Sequence, residues 1–110
     1  MKTITIIASP FRGNTPEERL ENIAYARKAC SHAVKRGETP FASHLLFPQF
    51  LDEDNSVERQ MGMEGNYKFW PIATKVAFYV DRGWSAGMKE ELVKCIAEYE
   101  IPFEIRRITD

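Results

Sequence analysis

Val76-Ala77-Phe78-Tyr79-Val80-Asp81-Arg82-Gly83-Trp84-Ser85-Ala86-Gly87-Met88-Lys89-Glu90-Glu91 is the stretch whose reading decides the fold. Its first five residues form an unbroken apolar run that reads as a buried strand. Asp81, Gly83 and Ser85 then supply turn chemistry and an N-cap, and helical periodicity follows. A strand that turns straight into a helix in this way is where open α/β sheets hold their ligands.

Residues 3–8, Thr-Ile-Thr-Ile-Ile-Ala, are β-branched and stop at Ser9-Pro10, where proline cannot continue a ladder. Thr15-Pro16-Glu17-Glu18 combines an N-cap, a proline at the first helical position and acids in the first turn. From Pro16 to about Lys35, Leu20, Ile23, Ala26, Ala29, Cys30, Ala33 and Val34 recur at threes and fours, and Arg36-Gly37 provides the stop. Residues 39–42 read as a short second strand and residues 43–50 as an apolar, irregular loop. Asp52-Glu53-Asp54 reads as a solvated turn. Asn55 or Ser56 caps a weaker helix over residues 57–70, whose Gly62 and Gly65 signal close packing. A helix over residues 85–99 and a last strand over 103–106 complete a β-α-β-α-β-α-β alternation. That order predicts a parallel sheet with helices on its faces.

The 110 residues are expected to form one domain, 1–110, with one core. With 44% apolar and 28% charged residues the composition is that of a globular chain, and no apolar stretch approaches the roughly 20 residues needed to span a bilayer. The residue 1–8 run is too short for a signal-peptide core, so a cytosolic protein with no membrane partner is expected. The net charge of −1 gives no general attraction to a nucleic acid polymer, so an anionic ligand needs a local site. Cys30 and Cys95 lack CxxC spacing and read as buried thiols. Two histidines without ligand-spaced partners give no metal site, and no cofactor fingerprint is present.

In a parallel sheet the loops after successive strands gather at one edge, which brings together Ser9, Pro10, Phe11, Arg12, Gly13, Asn14, His44 and the residue 81–87 turn. Arg12 offers a guanidinium fork for phosphate or carboxylate, and Gly13 and Gly87 permit close backbone approach. Ser85 either caps the helix or shares its donors with an anion. Trp84, beside Gly83, is the best aromatic for stacking on a base. Glu90 and Glu91 point about 100° apart on a helix, so one of them faces the edge. A carboxylate near a helix N-terminus is expected to stay ionised, which suits a nucleophile.

Residues 7–14, the long helix ending at Gly37, and Ser85-Ala86-Gly87-Met88-Lys89-Glu90-Glu91 together resemble the nucleoside 2-deoxyribosyltransferase superfamily. The likeness includes the related 2'-deoxynucleoside 5'-phosphate N-hydrolases and is strongest to small, often phage-borne members. It implies a flavodoxin-like or Rossmann-like three-layer sandwich with a four- or five-stranded, mainly parallel sheet. It also implies a glutamate that attacks C1' of a deoxyribosyl nucleoside and a site shared between subunits of a homo-oligomer. The family glutamate stands four residues after a glycine, which selects Glu91 from Gly87. Ser85 stands where the phosphate hydrolases carry a serine and the transferases an aspartate, which leans toward a nucleotide ligand. The hydrolases carry an acid at the start of the preceding strand, matched here by Lys75. Asp81 or His44 is then left to assist proton transfer. The alternative reading is a non-catalytic module that binds a nucleotide or nucleoside.

Overall fold

The computed structural model describes residues 3–109; Met1, Lys2 and Asp110 lie outside it. Four strands, β1 (Ile4–Ala8), β2 (Thr39–Phe41), β3 (Lys75–Tyr79) and β4 (Phe103–Arg106), form one sheet. Its order is β2-β1-β3-β4, with every neighbouring pair parallel. Ile6 stands level with Phe41 on one side and Val76 on the other. This is the start of the flavodoxin-type strand order, with the switch between β1 and β3. The carboxyl ends of β1 and β3 therefore diverge into loops around a common crevice.

Helix α1 (Pro16–Lys35) covers one face. The Thr15 hydroxyl accepts from Glu18 N, and the Glu18 carboxylate reaches back to Asn14 N. Such a cap contributes about 1 kcal/mol. Ala29 and Ala33 are wholly buried against the sheet layer of Ile7, Ala77 and Tyr79, and Ala26 on the same helix is wholly buried too. Small residues in that stripe let the helix lie close to the strands. Gly13 precedes the cap at φ 63°, where a Cβ would come within 2.6 Å of Glu18 Cβ, so only glycine fits.

The other face carries Ile6, Ala8, Val76, Phe78 and Val80, packed on Trp70, Met88 and Cys95. Helix α2 (Ser56–Lys68) is capped by the Asn55 side chain and ends two residues earlier than expected, because Trp70-Pro71-Ile72 tightens into a 3-10 turn. Gly62 and Gly65 form the seat of Phe47: a Cβ at Gly65 would meet its ring at 2.6 Å. The expected loop 43–50 is thus held as two 3-10 turns, Ser43–Leu45 and Phe47–Gln49. Helix α3 (Ala86–Lys94) is shorter than the expected 85–99 helix. A single π turn, Cys95–Tyr99, follows it and closes at Glu100 with φ 52°. That turn sets Tyr99 stacked on Tyr67, 5.8 Å between centroids, and beside Trp70. Among the described residues no helix is long and apolar enough to cross a membrane.

Candidate functional site

A cavity of about 450 Å³ opens at the carboxyl edge of the sheet, walled by the loop after β1, the 3-10 turns, one side of α2 and the start of α3. Such a volume suits a small organic ligand. Two asparagines organise it. Asn22 on α1 is buried; its Nδ2 donates to Phe11 O at 3.1 Å and its Oδ1 accepts from Arg82 Nε at 2.8 Å. One side chain therefore ties the β1 loop to the β3 loop. Asn66 on α2, 7% exposed, donates through Nδ2 to Glu91 Oε2 at 3.3 Å.

Glu91 is half-buried on the cavity wall, and burial pushes its carboxyl up to about 7 against the Asn66 hydrogen bond, with the Glu90 charge adding to the rise. The expected effect of the helix N-terminus does not govern this group, because Glu91 lies beyond the first turn and desolvation dominates. Glu90 also lines the cavity but is exposed.

Of the expected site residues, Pro10, Phe11, Arg12, Gly13, His44, Trp84, Ser85, Gly87 and Glu91 all line this cavity. His44 stacks on Phe11, 4.7 Å between centroids at 14°. Burial draws its ring down to about 4 despite a hydrogen bond with the Ser9 backbone, so it stands neutral at pH 7. Trp84 packs on Phe78 at 5.2 Å. Ser85 caps α3, its hydroxyl accepting from Met88 N. The space beside Gly87 is open among the described residues: a Cβ there would meet Ser85 Oγ at 3.9 Å. Arg12 donates to Glu53 O at 2.9 Å and lies 3.6 Å from Asp54, so the acidic turn folds over the β1 loop.

Four expected residues fall outside the cavity lining. Ser9 is buried beneath it, Asn14 spends its amide on Glu18, and Gly83 is exposed in the turn. Asp81 is the clearest correction. Burial would raise its carboxyl, but hydrogen bonds from Tyr25 Oη (2.6 Å), Ile108 N (2.8 Å) and Thr109 Oγ1 (2.8 Å) hold it well below the usual range. It locks the segment after β4 to α1 and does not meet Glu91.

Lys75 is also away from the cavity. It opens β3 and pairs with Glu104 at 2.8 Å and Glu38 at 3.1 Å on the α1 side of the sheet. Cys30 and Cys95 are free, and burial pushes the Cys30 thiol up to about 11. Among the described residues no three His, Cys, Asp or Glu side chains group to hold a metal.

Sequence reasoning passed over Asn22 and Asn66 and gave Arg82 no individual role within the turn. For Asn66 a signal existed. Gly62, Asn66 and Trp70 recur at fours and all three are buried, so an asparagine stands in the inward stripe of α2.

No curated protein matches the sequence. Among solved structures, the chain is similar to a 2-deoxyribosyltransferase from the psychrotolerant bacterium Bacillus psychrosaccharolyticus. The TM-score is 0.70 at 16% identity, over 96% of this chain and 72% of that one. The likeness is one of fold: the expected flavodoxin-like α/β sandwich of the nucleoside 2-deoxyribosyltransferase type is present. The model of a family described as a domain of unknown function (DUF7768) matches residues 3–106, nearly the whole chain, and the protein therefore belongs to that family.

Proposed function

We propose that the protein cleaves the N-glycosidic bond of a deoxynucleoside 5'-monophosphate, with Glu91 as nucleophile. The observation that carries this reading is a half-buried carboxyl, raised by desolvation and facing an amide donor, on the wall of a ligand-sized cavity in a 2-deoxyribosyltransferase fold. A fraction of Glu91 is ionised at pH 7, and positive charge developing at C1' favours that fraction further.

In the reaction a Glu91 oxygen bonds to C1' as the C1'–N bond breaks. The electron pair leaves with the base, which takes up a proton from solvent water; the water that hydrolyses the ester later returns one. Water, or a second base, then cleaves the glycosyl ester and restores the carboxylate. His44 serves as a neutral hydrogen-bonding wall with Phe11 rather than as an acid, because its neutral ring has no imidazolium proton to give at pH 7. The Ser85 hydroxyl, the open first-turn amides beside Gly87 and the exposed Arg82 support a phosphate at the start of α3.

A homo-oligomer belongs to the same reading. Val93, Ile96, Phe103 and Ile105 are exposed large apolar residues on α3, the π turn and the edge strand β4. Light scattering that returns a monomer would remove this part alone. The activity is tested by incubating the four deoxynucleoside monophosphates and their nucleosides with the protein and chromatographing the products. Free base from a monophosphate, lost in Glu91→Gln, is expected. No base from any substrate, or undiminished release by Glu91→Gln, overturns the assignment; tight binding without turnover would leave a nucleotide-binding module.

A further inference from the structure

We infer that Asn66 is a positioning residue for Glu91: its side-chain amide holds carboxylate oxygen Oε2 and leaves Oε1 as the oxygen free to react. The catalytic consequence rests on the glycosidase reading above, whereas the physical pairing does not.

Three observations lead to it. Asn66 is 93% buried by its 7% exposure, on the inward stripe of α2, and its Nδ2 lies 3.3 Å from Oε2. Helix α2 is pinned where it stands, because Phe47 fills the space over Gly62 and Gly65, so the amide has a fixed origin. The third is an imbalance: Asn66 Oδ1 is buried and has no hydrogen-bond partner among the described residues. Asn22, by contrast, satisfies both ends of its amide, between Phe11 and Arg82. Leaving an acceptor unpaired costs on the order of 1–3 kcal/mol.

The imbalance has a chemical use. Toward an ionised carboxylate an amide must present its NH2 group; toward a protonated carboxyl it can present its oxygen. Rotation of the Asn66 carboxamide thus gives Oδ1 a partner whenever Glu91 carries a proton. One side chain serves both states of the glutamate at the same position. Glu90 beside it on α3, Tyr67 on α2 and Cys95 one turn on are the other titratable groups whose charges couple to Glu91, and none is a cation. The amide donor is therefore what favours the ionised form here.

The test begins with the unaltered protein. In a pH titration by NMR, the Asn66 side-chain NH2 signals are expected to move with the same midpoint as the Glu91 carboxyl carbon. That dependence should vanish in Glu91→Gln. In Asn66→Leu and Asn66→Met, neither of which can donate a hydrogen bond, the Glu91 midpoint should rise by about one pH unit or more. The acid limb of the kcat profile should rise with it while KM changes little. Asn66 signals that ignore the Glu91 titration overturn the inference without any variant, and so does an unmoved Glu91 midpoint in either folded variant. Absence of turnover with every substrate strikes the glycosidase reading, while the shared midpoint still decides the role of Asn66.

Discussion

Two groups of buried charge stand around the same sheet and have opposite fates. On the α1 side, Glu38 receives two hydrogen bonds from Arg106 at 2.7 and 2.8 Å and lies 3.1 Å from Lys75, with Glu104 and the Tyr79 hydroxyl completing the lattice. Arg106 above all, against the cost of burial, draws the Glu38 carboxyl down to about 2. At the cavity, Glu91 has one long amide contact and is pushed up to about 7. Both are glutamates with restricted access to water; the difference is the number of cations within reach. Charges that are fully matched hold the fold, and a charge left short of partners is available to a ligand.

The sharpest way to break the contrast is to remove a partner from the matched side. Arg106→Ala strips Glu38 of its main partner in a buried setting and should cost about 3 kcal/mol in urea unfolding, because two charge-assisted hydrogen bonds are lost and Lys75 is left as its close cation. If Arg106→Ala costs under 1 kcal/mol, the lattice is solvated and the contrast fails. Next in size is the cavity wall. Gly65→Ala places a methyl where the Phe47 ring already stands and should cost about 1–3 kcal/mol. The displaced ring also moves α2, so the Glu91 titration should shift together with the stability. Ser85→Ala removes the cap of α3 and should cost about 1 kcal/mol. Under the phosphate reading it also raises KM for a monophosphate more than for the nucleoside, which chromatographic assays on both substrates would show.

The matched side and the frame were largely legible in the chain. Helix α1 spans the residues expected because Thr15-Pro16 and Arg36-Gly37 are local signals that no tertiary contact overrides. The apolar run at residues 76–80 fixed β3 to within one residue, and the loops after β1 and β3 did converge. What was hidden depends on directions and distances. Asp81 sits in the right turn, yet Tyr25 and the residue 108–109 backbone claim its carboxylate, and those partners are 56 and 27 residues away. The π turn after Lys94 has no sequence signal, since it exists to stack Tyr99 against Tyr67 and Trp70. Asn66 looked like an ordinary polar helix residue until the burial of its neighbours showed which way it faces.

The smallest expected effect is a cancellation. Glu91, raised from 4.5 to about 7 in the fold, binds its proton more tightly folded than unfolded, so it lowers stability as pH rises from about 4.5 to about 7. His44, lowered from 6.5 to about 4, stays neutral in the fold while the unfolded chain takes up a proton, so it raises stability as pH rises from about 4 to about 6.5. Each group alone has a limiting slope of about 1.4 kcal/mol per pH unit, of opposite sign. Between about pH 4.5 and 6.5 the two offset, and thermal unfolding of the unaltered protein should change little from this pair. Glu38 and Asp81, both lowered in the fold, add stability that is gained mostly below this window, as pH rises toward their unfolded values of 4.5 and 3.8. Glu91→Gln unmasks the histidine, so its melting temperature should climb with pH through the window and then level off. His44→Gln unmasks the glutamate, and its melting temperature should fall. Parallel profiles for all three proteins would mean that neither group is held away from its ordinary titration, and the cavity would then be no different in kind from the lattice on the other face.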